Sequence, residues 1–148
     1  RSRPAHRRRP AARCRRVVER RLTTERQSQL VDITALVRDA VAGRQGAAVL
    51  VYVPHTTAGV TINEHADPAV GRDFETALER IAPSDWPWQH VEEGEENAPT
   101  HIRAALMGPS VTIPLRGDGE LALGTWQGVF FCEFDGPRER SVYVSMLG

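Results

Sequence analysis

The chain of 148 residues shows two kinds of hydrophobic pattern, one typical of strands and one typical of helices. Short runs of alternating or consecutive apolar residues predict strands at 17–24, 47–53, 60–64, 110–115, 121–126, 129–134 and 141–147. Apolar positions spaced three and four residues apart predict helices at 32–43, 67–83 and 99–108. Helices inserted among strands in this way indicate an α+β fold.

The ends of the predicted helices carry residues that favour helix starts and stops. Asp32 and Asp67 are suited to cap the first two helices, and Pro68 suits a first helical position. Gly43 and Gly108 are suited to end the first and third. The long connection at 84–98 has no regular pattern, and such loops in compact domains are often functional.

Two apolar stretches, 47–53 and 129–131, suggest strands that are buried on both faces. A lone domain of this size does not easily cover so much two-sided apolar surface. The stretches therefore favour an assembly of several chains over a monomer.

The formal net charge is zero, but the charged residues are unevenly distributed. Residues 1–16 carry eight Arg and no acidic residue, which leaves 11 basic against 19 acidic residues in the remainder. We therefore expect a disordered Arg-rich leader at 1–16 and one domain at 17–148. An Arg-rich segment can bind nucleic acid, but the acidic domain would repel phosphates, so nucleic acid is not an expected partner.

The residue types that are missing exclude several functions. The chain has no Lys, which rules out Schiff-base chemistry and a phosphate-loop Lys. Cys14 and Cys132 lie in the leader and in a predicted strand, so no disulfide framework is expected. No apolar run approaches the roughly 20 residues of a membrane span. These features predict a cytoplasmic protein without a membrane partner.

Three of the His residues are at positions where the chain is predicted to change direction. His55 ends a strand, His90 lies in the long connection, and His101 is near a helix start. Three His with an open fourth position would suit a catalytic zinc ion, although their spacing matches no short metal motif. Scattered surface or hydrogen-bonded His residues are the alternative.

Other polar residues are candidates for binding or catalysis. Glu64 ends a strand and is expected near His55, whereas Asp73 is expected to face solvent. Trp126 and Gln127, between two Gly, could offer a flat face and a hydrogen-bonding edge to a heteroaromatic ring, but Trp126 could equally fill the core. Arg138 and Arg140 could clamp a phosphate, or could be exposed hairpin charges.

Taken together, seven motifs in this order resemble the YjbQ-like family, over roughly residues 17–148. The motifs are His55-Thr-Thr-Ala-Gly59, Ile62-Asn-Glu64, Ala66-Asp-Pro68, His90, Pro99-Thr-His101-Ile102, Gly124-Thr-Trp-Gln-Gly128 and Gly136-Pro-Arg138. The resemblance implies an α+β fold with a jelly-roll-like β-sandwich and inserted helices, assembled as a homotrimer. It also implies a weak secondary thiamine-phosphate synthase activity, which joins hydroxymethylpyrimidine diphosphate to thiazole phosphate.

The resemblance implies a metal-binding pocket as well. Its ligands would be His55, His90 and His101, with His55 and Glu64 as catalytic residues. The substrate would be bound by Trp126, Gln127 and Arg138. His65 stands where the family usually has Asn or another polar residue, so it is left out of the predicted site.

The identity of the metal and the reaction both stay open at this point. Diphosphate departure is usually helped by Mg²⁺, whereas imidazole ligands favour zinc. One alternative function is a metal-dependent hydrolase or lyase in which Glu64 accepts the proton. Another is a trimeric protein that binds a small heteroaromatic compound without catalysis.

Overall fold

The computed structural model describes residues 17–92 and 96–148, which form seven strands and three helices. In chain order these are β1 (Val18–Thr23), β2 (Gln29–Asp32), α1 (Thr34–Val41), β3 (Ala48–Tyr52), β4 (Ala58–Glu64), α2 (Pro68–Ile81), α3 (Ala98–Met107), β5 (Ser110–Pro114), β6 (Gln127–Glu133) and β7 (Glu139–Leu147). The predicted leader at 1–16 lies outside the described residues. Among the described helices, none is long and apolar enough to cross a bilayer.

The strands form two antiparallel sheets that enclose the main core. One sheet has the order β1-β7-β3-β5 and the other the order β2-β6-β4. Apolar side chains from both sheets meet in one cluster, in which Val51, Val144 and Phe131 are fully buried. The predicted α+β sandwich with inserted helices is therefore confirmed.

The helices α2 and α3 pack against the outer face of the three-stranded sheet. A second apolar cluster joins Leu78 of α2 and Ala104 of α3 to Cys132 of β6. Gly59 lets α3 approach β4 closely, because a Cβ at this position would lie 2.8 Å from Gly108 O. This packing places α3 beside the strands that lead to the predicted site.

The predicted helix ends are close to those observed. Asp67 caps α2, because its Oδ1 accepts a hydrogen bond from Ala69 N–H at 2.8 Å. Gly108 ends α3 with a φ of +85°, a value that disfavours residues with a side chain. The first helix begins at Thr34, two residues after Asp32, and Asp32 Oδ1 accepts a hydrogen bond from Thr34 N–H.

Two parts of the strand prediction are wrong. The pattern does not predict the short edge strand β2, because Gln29–Asp32 is only four residues long and does not alternate. The predicted strand at 121–126 is absent from the described fold except for a single bridge between Leu115 and Leu121. Leu121 and Leu123 alternate because both are buried in the core, without a neighbouring strand along the segment.

A single chain buries both faces of β6 but only one face of β3. In β3, Val49 and Val51 are buried whereas Tyr52 on the other face is 41% exposed. In β6 both faces are buried, but Phe131 faces the sandwich core while Cys132 faces α2 and α3. The two stretches therefore do not decide the oligomeric state, and the homotrimer remains a prediction.

Candidate functional site

Two of the predicted metal ligands lie against each other on the helical side of the molecule. His101 is in α3 and His90 precedes that helix, and their ring centroids are 5.2 Å apart at an interplanar angle of 75°. Trp88 and Ile102 line the same cavity of about 420 Å³. The Trp88 ring is fixed by a 2.9 Å hydrogen bond from its Nε1–H to Pro83 O. Two adjacent imidazoles supply half of the ligands of a tetrahedral zinc site.

His55, the third predicted ligand, has other contacts. Its Nε2 accepts a 2.9 Å hydrogen bond from Ser141 N–H, and its ring meets Phe131 edge-on with a centroid distance of 6.5 Å. Because Nε2 is the acceptor, the neutral ring carries its proton on Nδ1. Burial, and then the positive charge of Arg140, lower the pKa of His55 and so favour the neutral ring.

Within residues 17–92 and 96–148, no three His, Cys, Asp or Glu side chains form a group that could hold a metal ion. The described part of one chain brings together the His90–His101 pair but not the full three-His set. The three-His site therefore stays a prediction. A third ligand would have to come from a reoriented His55, from a bound substrate or from another subunit.

Arg138 is linked to the start of α3 through Asp135, and its charge acts on His55. Its Nε–H and Nη2–H donate hydrogen bonds to Asp135 O at 2.7 Å and Asp135 Oδ2 at 3.1 Å. Asp135 Oδ2 also accepts a 3.1 Å hydrogen bond from Asn97 Nδ2–H, at the N-cap of α3 and one turn before His101. The charge of Arg138 also helps to lower the pKa of His55. These residues therefore lie at one end of the three-stranded sheet, and the Arg138 side chain is 50% exposed there.

Arg140 is neither an exposed hairpin charge nor a free phosphate clamp, so both predictions for it are wrong. It forms an ion pair with Glu133 in which the side chains are 5% and 0% exposed. Its Nη2–H also donates to Thr57 Oγ1 at 2.8 Å, while Glu133 Oε2 accepts from the Thr24 hydroxyl at 2.9 Å. Its guanidinium is therefore used in contacts within the fold and is not available to bind a phosphate.

Glu64, Trp126 and Gln127 form a second group. Glu64 is paired with Gln127 in the β4–β6 ladder. Trp126 is 64% exposed, so the prediction that it fills the core is wrong and its face is open to a ligand. The Gln127 side chain closes a tight turn, because its Oε1 accepts a 2.8 Å hydrogen bond from Gly124 N–H.

The two groups lie at opposite ends of the same strand pair. Ala58 is paired with Glu133 at the end near His55, and Glu64 is paired with Gln127 at the other. The six residue steps between these pairs span about 20 Å of extended strand. The prediction that Glu64 lies near His55 is therefore wrong within one chain.

The contact between His65 and Asp32 has no counterpart among the sequence predictions. His65 Nδ1 lies 3.0 Å from Asp32 Oδ2, although the residues are 33 positions apart. The pairing depends on the order β2-β6-β4, and the hydrophobic pattern does not predict the short strand β2. Cys132 offers no comparable chemistry, because burial raises the pKa of its thiol to about 12.

Comparison with known proteins agrees with the motifs. The family model described as "UPF0047 protein YjbQ-like" matches residues 18–148. This chain belongs to the YjbQ-like family. It is 46% identical over 130 residues to the UPF0047 protein MJ1081 of Methanocaldococcus jannaschii, covering 86% of this chain and 91% of that protein. It is 40% identical over 131 residues to the UPF0047 protein YugU of Bacillus subtilis, covering 86% and 96%.

Solved structures of this family share the fold. A YjbQ/UPF0047 protein from Clostridium acetobutylicum is 46% identical, with a TM-score of 0.82 over 88% of this chain and 99% of that one. A hypothetical protein from Aeropyrum pernix K1 is 37% identical, with a TM-score of 0.83 over 90% and 98%. The YjbQ-like domain architecture is thus shared by bacterial and archaeal relatives.

Proposed function

We propose that this chain is a metal-assisted transferase with secondary thiamine-phosphate synthase activity, and that its site forms between the subunits of a homotrimer. The observation that carries the proposal is the contact between His90 and His101. The sequence motifs selected both residues as ligands, and their rings come together from a loop and a helix. The exposed guanidinium of Arg138 lies at the same end of the sheet.

The donor set fits a divalent metal in part. His90 and His101 would hold the ion, with His55 as the third predicted ligand if its Nε2 exchanges Ser141 N–H for the ion. Imidazole donors favour zinc over Mg²⁺. When bound, such an ion would supply positive charge to a departing diphosphate.

The remaining residues would bind and orient the two substrates. The Arg138 guanidinium keeps part of its donor fork exposed, which suits a phosphate oxygen. The exposed face of Trp126 suits stacking against a pyrimidine or thiazole ring. A carboxylate at Glu64 would stabilise the positive charge that develops on the pyrimidine methylene as the thiazole nitrogen forms its bond and diphosphate leaves.

A homotrimer would bring the two groups together from different chains. Within one chain, the group of His90, His101 and Arg138 and the group of Glu64 and Trp126 lie at opposite ends of the β4–β6 pair. A cyclic assembly makes head-to-tail contacts, in which one end of each subunit meets the other end of its neighbour. Three identical sites would then form, each with the two groups from different chains.

Mixing two inactive variants tests both the function and the shared site. His101→Ala and Glu64→Gln should each abolish the formation of thiamine phosphate from the two substrates. Trimers reassembled from an equal mixture should regain about a quarter of wild-type activity, because one contact in four then joins two intact groups. Product is measured by mass spectrometry, and the assembly by light scattering.

The other outcomes have clear meanings. No activity in the mixture, with wild type active and the trimer reassembled, would reject the shared site. Ligand binding by wild type without any product would reject the transferase and leave the small-ligand-binding alternative. A wild-type monomer at micromolar concentration would reject the trimer.

A further inference from the structure

Asp32 and His65 form a dyad in which the direction of the proton can be assigned. Asp32 Oδ2 lies 3.0 Å from His65 Nδ1, and an ionised carboxylate can only accept a hydrogen bond. Nδ1 therefore carries the proton of the neutral ring. Among the described residues, none donates a hydrogen bond to His65 Nε2, so its lone pair is available to a bound molecule.

The carboxylate is held in place from its other side. Both the N–H and the hydroxyl of Thr34 donate to Asp32 Oδ1, at 2.9 and 2.5 Å. The hydroxyl oxygen in turn accepts a 2.9 Å hydrogen bond from Val129 N–H, which directs its proton towards Asp32. Burial alone would raise the pKa of Asp32, but the hydrogen bonds from Thr34 and then His65 outweigh it and lower that pKa. The carboxylate is therefore ionised and oriented near neutral pH.

The ring of His65 packs against the backbone of β6 at Gly128. A Cβ at Gly128 would lie 2.7 Å from His65 Nδ1, so the ring occupies the space that a side chain there would fill. His65 N–H also donates a 3.0 Å hydrogen bond to Trp126 O, which extends the β4–β6 pairing by one step. Glycine and strand register together fix the imidazole relative to Asp32.

The dyad borders a cavity of about 480 Å³ between the small sheet and α2. Four carboxylates, those of Asp32, Glu64, Asp67 and Glu75, face two guanidinium groups in its lining, those of Arg26 and Arg72. Arg26 is already bound to Glu75 through two hydrogen bonds of 3.1 and 3.2 Å. The excess of negative charge disfavours phosphates and other anions beside the imidazole and favours neutral or cationic molecules.

We propose that Asp32 and His65 form a general-base dyad that activates a water molecule against a small uncharged electrophile, of which a carboxylic ester is the simplest class. His65 Nε2 takes one proton of the water as its oxygen bonds to the ester carbonyl carbon. The alcohol or phenol then leaves with the electron pair of the broken C–O bond. The products are a carboxylic acid and the alcohol, and the proton returns from Nε2 to the leaving group or to solvent. Asp32 is a positioning residue in this step, since it acts through His65.

The simpler alternative is a surface ion pair that only ties β4 to β2. The side chains of His65 and Asp32 are 31% and 42% exposed, and pairs so exposed contribute little to stability. A tether of this kind would hold the same Nδ1–H tautomer but would produce no catalysis. Both properties can be measured without knowledge of the natural substrate.

The first test is the tautomer of His65 in the full chain, from nitrogen–proton correlation spectra. Wild type should show the Nδ1–H form at neutral pH. Asp32→Asn should shift the population of His65 towards the Nε2–H form. A wild-type spectrum with the proton on Nε2 would overturn the dyad.

The second test is the hydrolysis of p-nitrophenyl acetate, an uncharged ester. His65→Asn should reduce the catalysed rate by on the order of 10²-fold, the usual contribution of a general base. Asp32→Asn should reduce it by about 10–100-fold, as for other residues that orient a His. Asp73→Asn, a change at an exposed position on α2, serves as the control and should leave the rate unchanged.

Two results would reject the proposal. One is a rate for His65→Asn within about twofold of wild type, since loss of a general base costs much more. The other is an equal fall in rate for Asp73→Asn. If Asp32→Asn does not fold, the tautomer of His65 in wild type and the hydrolysis rate of His65→Asn still test the proposal.

Discussion

Arg140 and Glu133 form a buried ion pair beside the predicted site, with side chains that are 5% and 0% exposed. Arg140 Nε–H donates to Glu133 Oε2 at 2.7 Å, and Glu133 Oε1 accepts from the backbone N–H groups of Phe134 and Asp135. The pair lies next to His55 and joins the end of β6 to the start of β7, two strands that belong to different sheets. Its main role is thus to hold the two sheets together at the end where His55 lies.

Removal of one charge from this pair should destabilise the protein strongly. Arg140→Met would leave the buried Glu133 carboxylate without its positively charged partner, which costs about 3–5 kcal/mol. Arg138→Met is the matched control, because the Arg138–Asp135 pair is half exposed and should contribute about 1 kcal/mol or less. The free energy of unfolding in urea is the measurement. Equal losses for the two variants would show that the Arg140 pair is not effectively buried.

His55 should make the stability depend on pH below neutrality. Burial and Arg140 lower its pKa in the folded protein from the ordinary value of 6.5, so the unfolded chain binds more protons between the two values. The stabilisation is therefore complete above about pH 6.5 and falls as the pH drops towards the lowered pKa.

The measurement for this prediction is the free energy of unfolding at about pH 7.5 and 5.5. His55→Gln keeps an acceptor for Ser141 N–H but cannot titrate, so it should lose less stability than wild type over this interval. Asp73→Asn should behave as wild type. A slope unchanged by His55→Gln would contradict the inferred pKa shift.

The sequence predicted most of the fold because its strongest patterns are local. Asp67 and Pro68 mark the start of α2 by their own chemistry, and Gly108 marks the end of α3 by its positive φ. The segment at 121–126 misled the prediction, since a loop that buries alternate Leu side chains has the same pattern as a strand. Hydrophobic alternation reports burial, whereas a strand also needs a hydrogen-bonded neighbour.

The candidate site was less predictable, because its contacts depend on long-range register. The closeness of His90 and His101 follows from how the connection folds back on α3, which no spacing rule contains. The pairing of Asp32 with His65 depends on the β2-β6-β4 order. The burial of Arg140 is not predictable from the sequence, because its ion pair with Glu133 forms only when the ends of β6 and β7 meet in the fold.

Metal binding should depend on the paired His residues. His90→Ala and His101→Ala should each lower zinc affinity by at least about tenfold, because two imidazoles are the core of the proposed ligand set. His55→Ala should lower it as well if His55 is the third ligand. His65→Ala is the control and should leave it nearly unchanged. The measurement is zinc stoichiometry per chain after dialysis.

Two results of that measurement would change the assignment. Loss of zinc in His65→Ala together with its retention in His90→Ala would show that the ligands were assigned to the wrong residues. Full binding by His55→Ala would leave His90 and His101 as the ligands and assign the third position to another group.

The close contact of α3 with β4 leads to a prediction with an internal control. A Cβ at Gly59 would lie 2.8 Å from Gly108 O and 2.9 Å from Met107 Cβ, and the backbone there cannot move without displacing α3. Gly59→Ala should therefore cost about 1–3 kcal/mol. A Cβ at Gly71, inside α2, would have no atom within 4 Å, so Gly71→Ala should stabilise the protein by about 0.5–1 kcal/mol. Thermal melting distinguishes the expected loss of stability from the expected gain.

The same pair of variants should also differ in zinc binding. Because α3 carries His101, Gly59→Ala should weaken zinc binding, whereas Gly71→Ala should not. A stable Gly59→Ala variant with normal zinc affinity would show that α3 is not held by this contact.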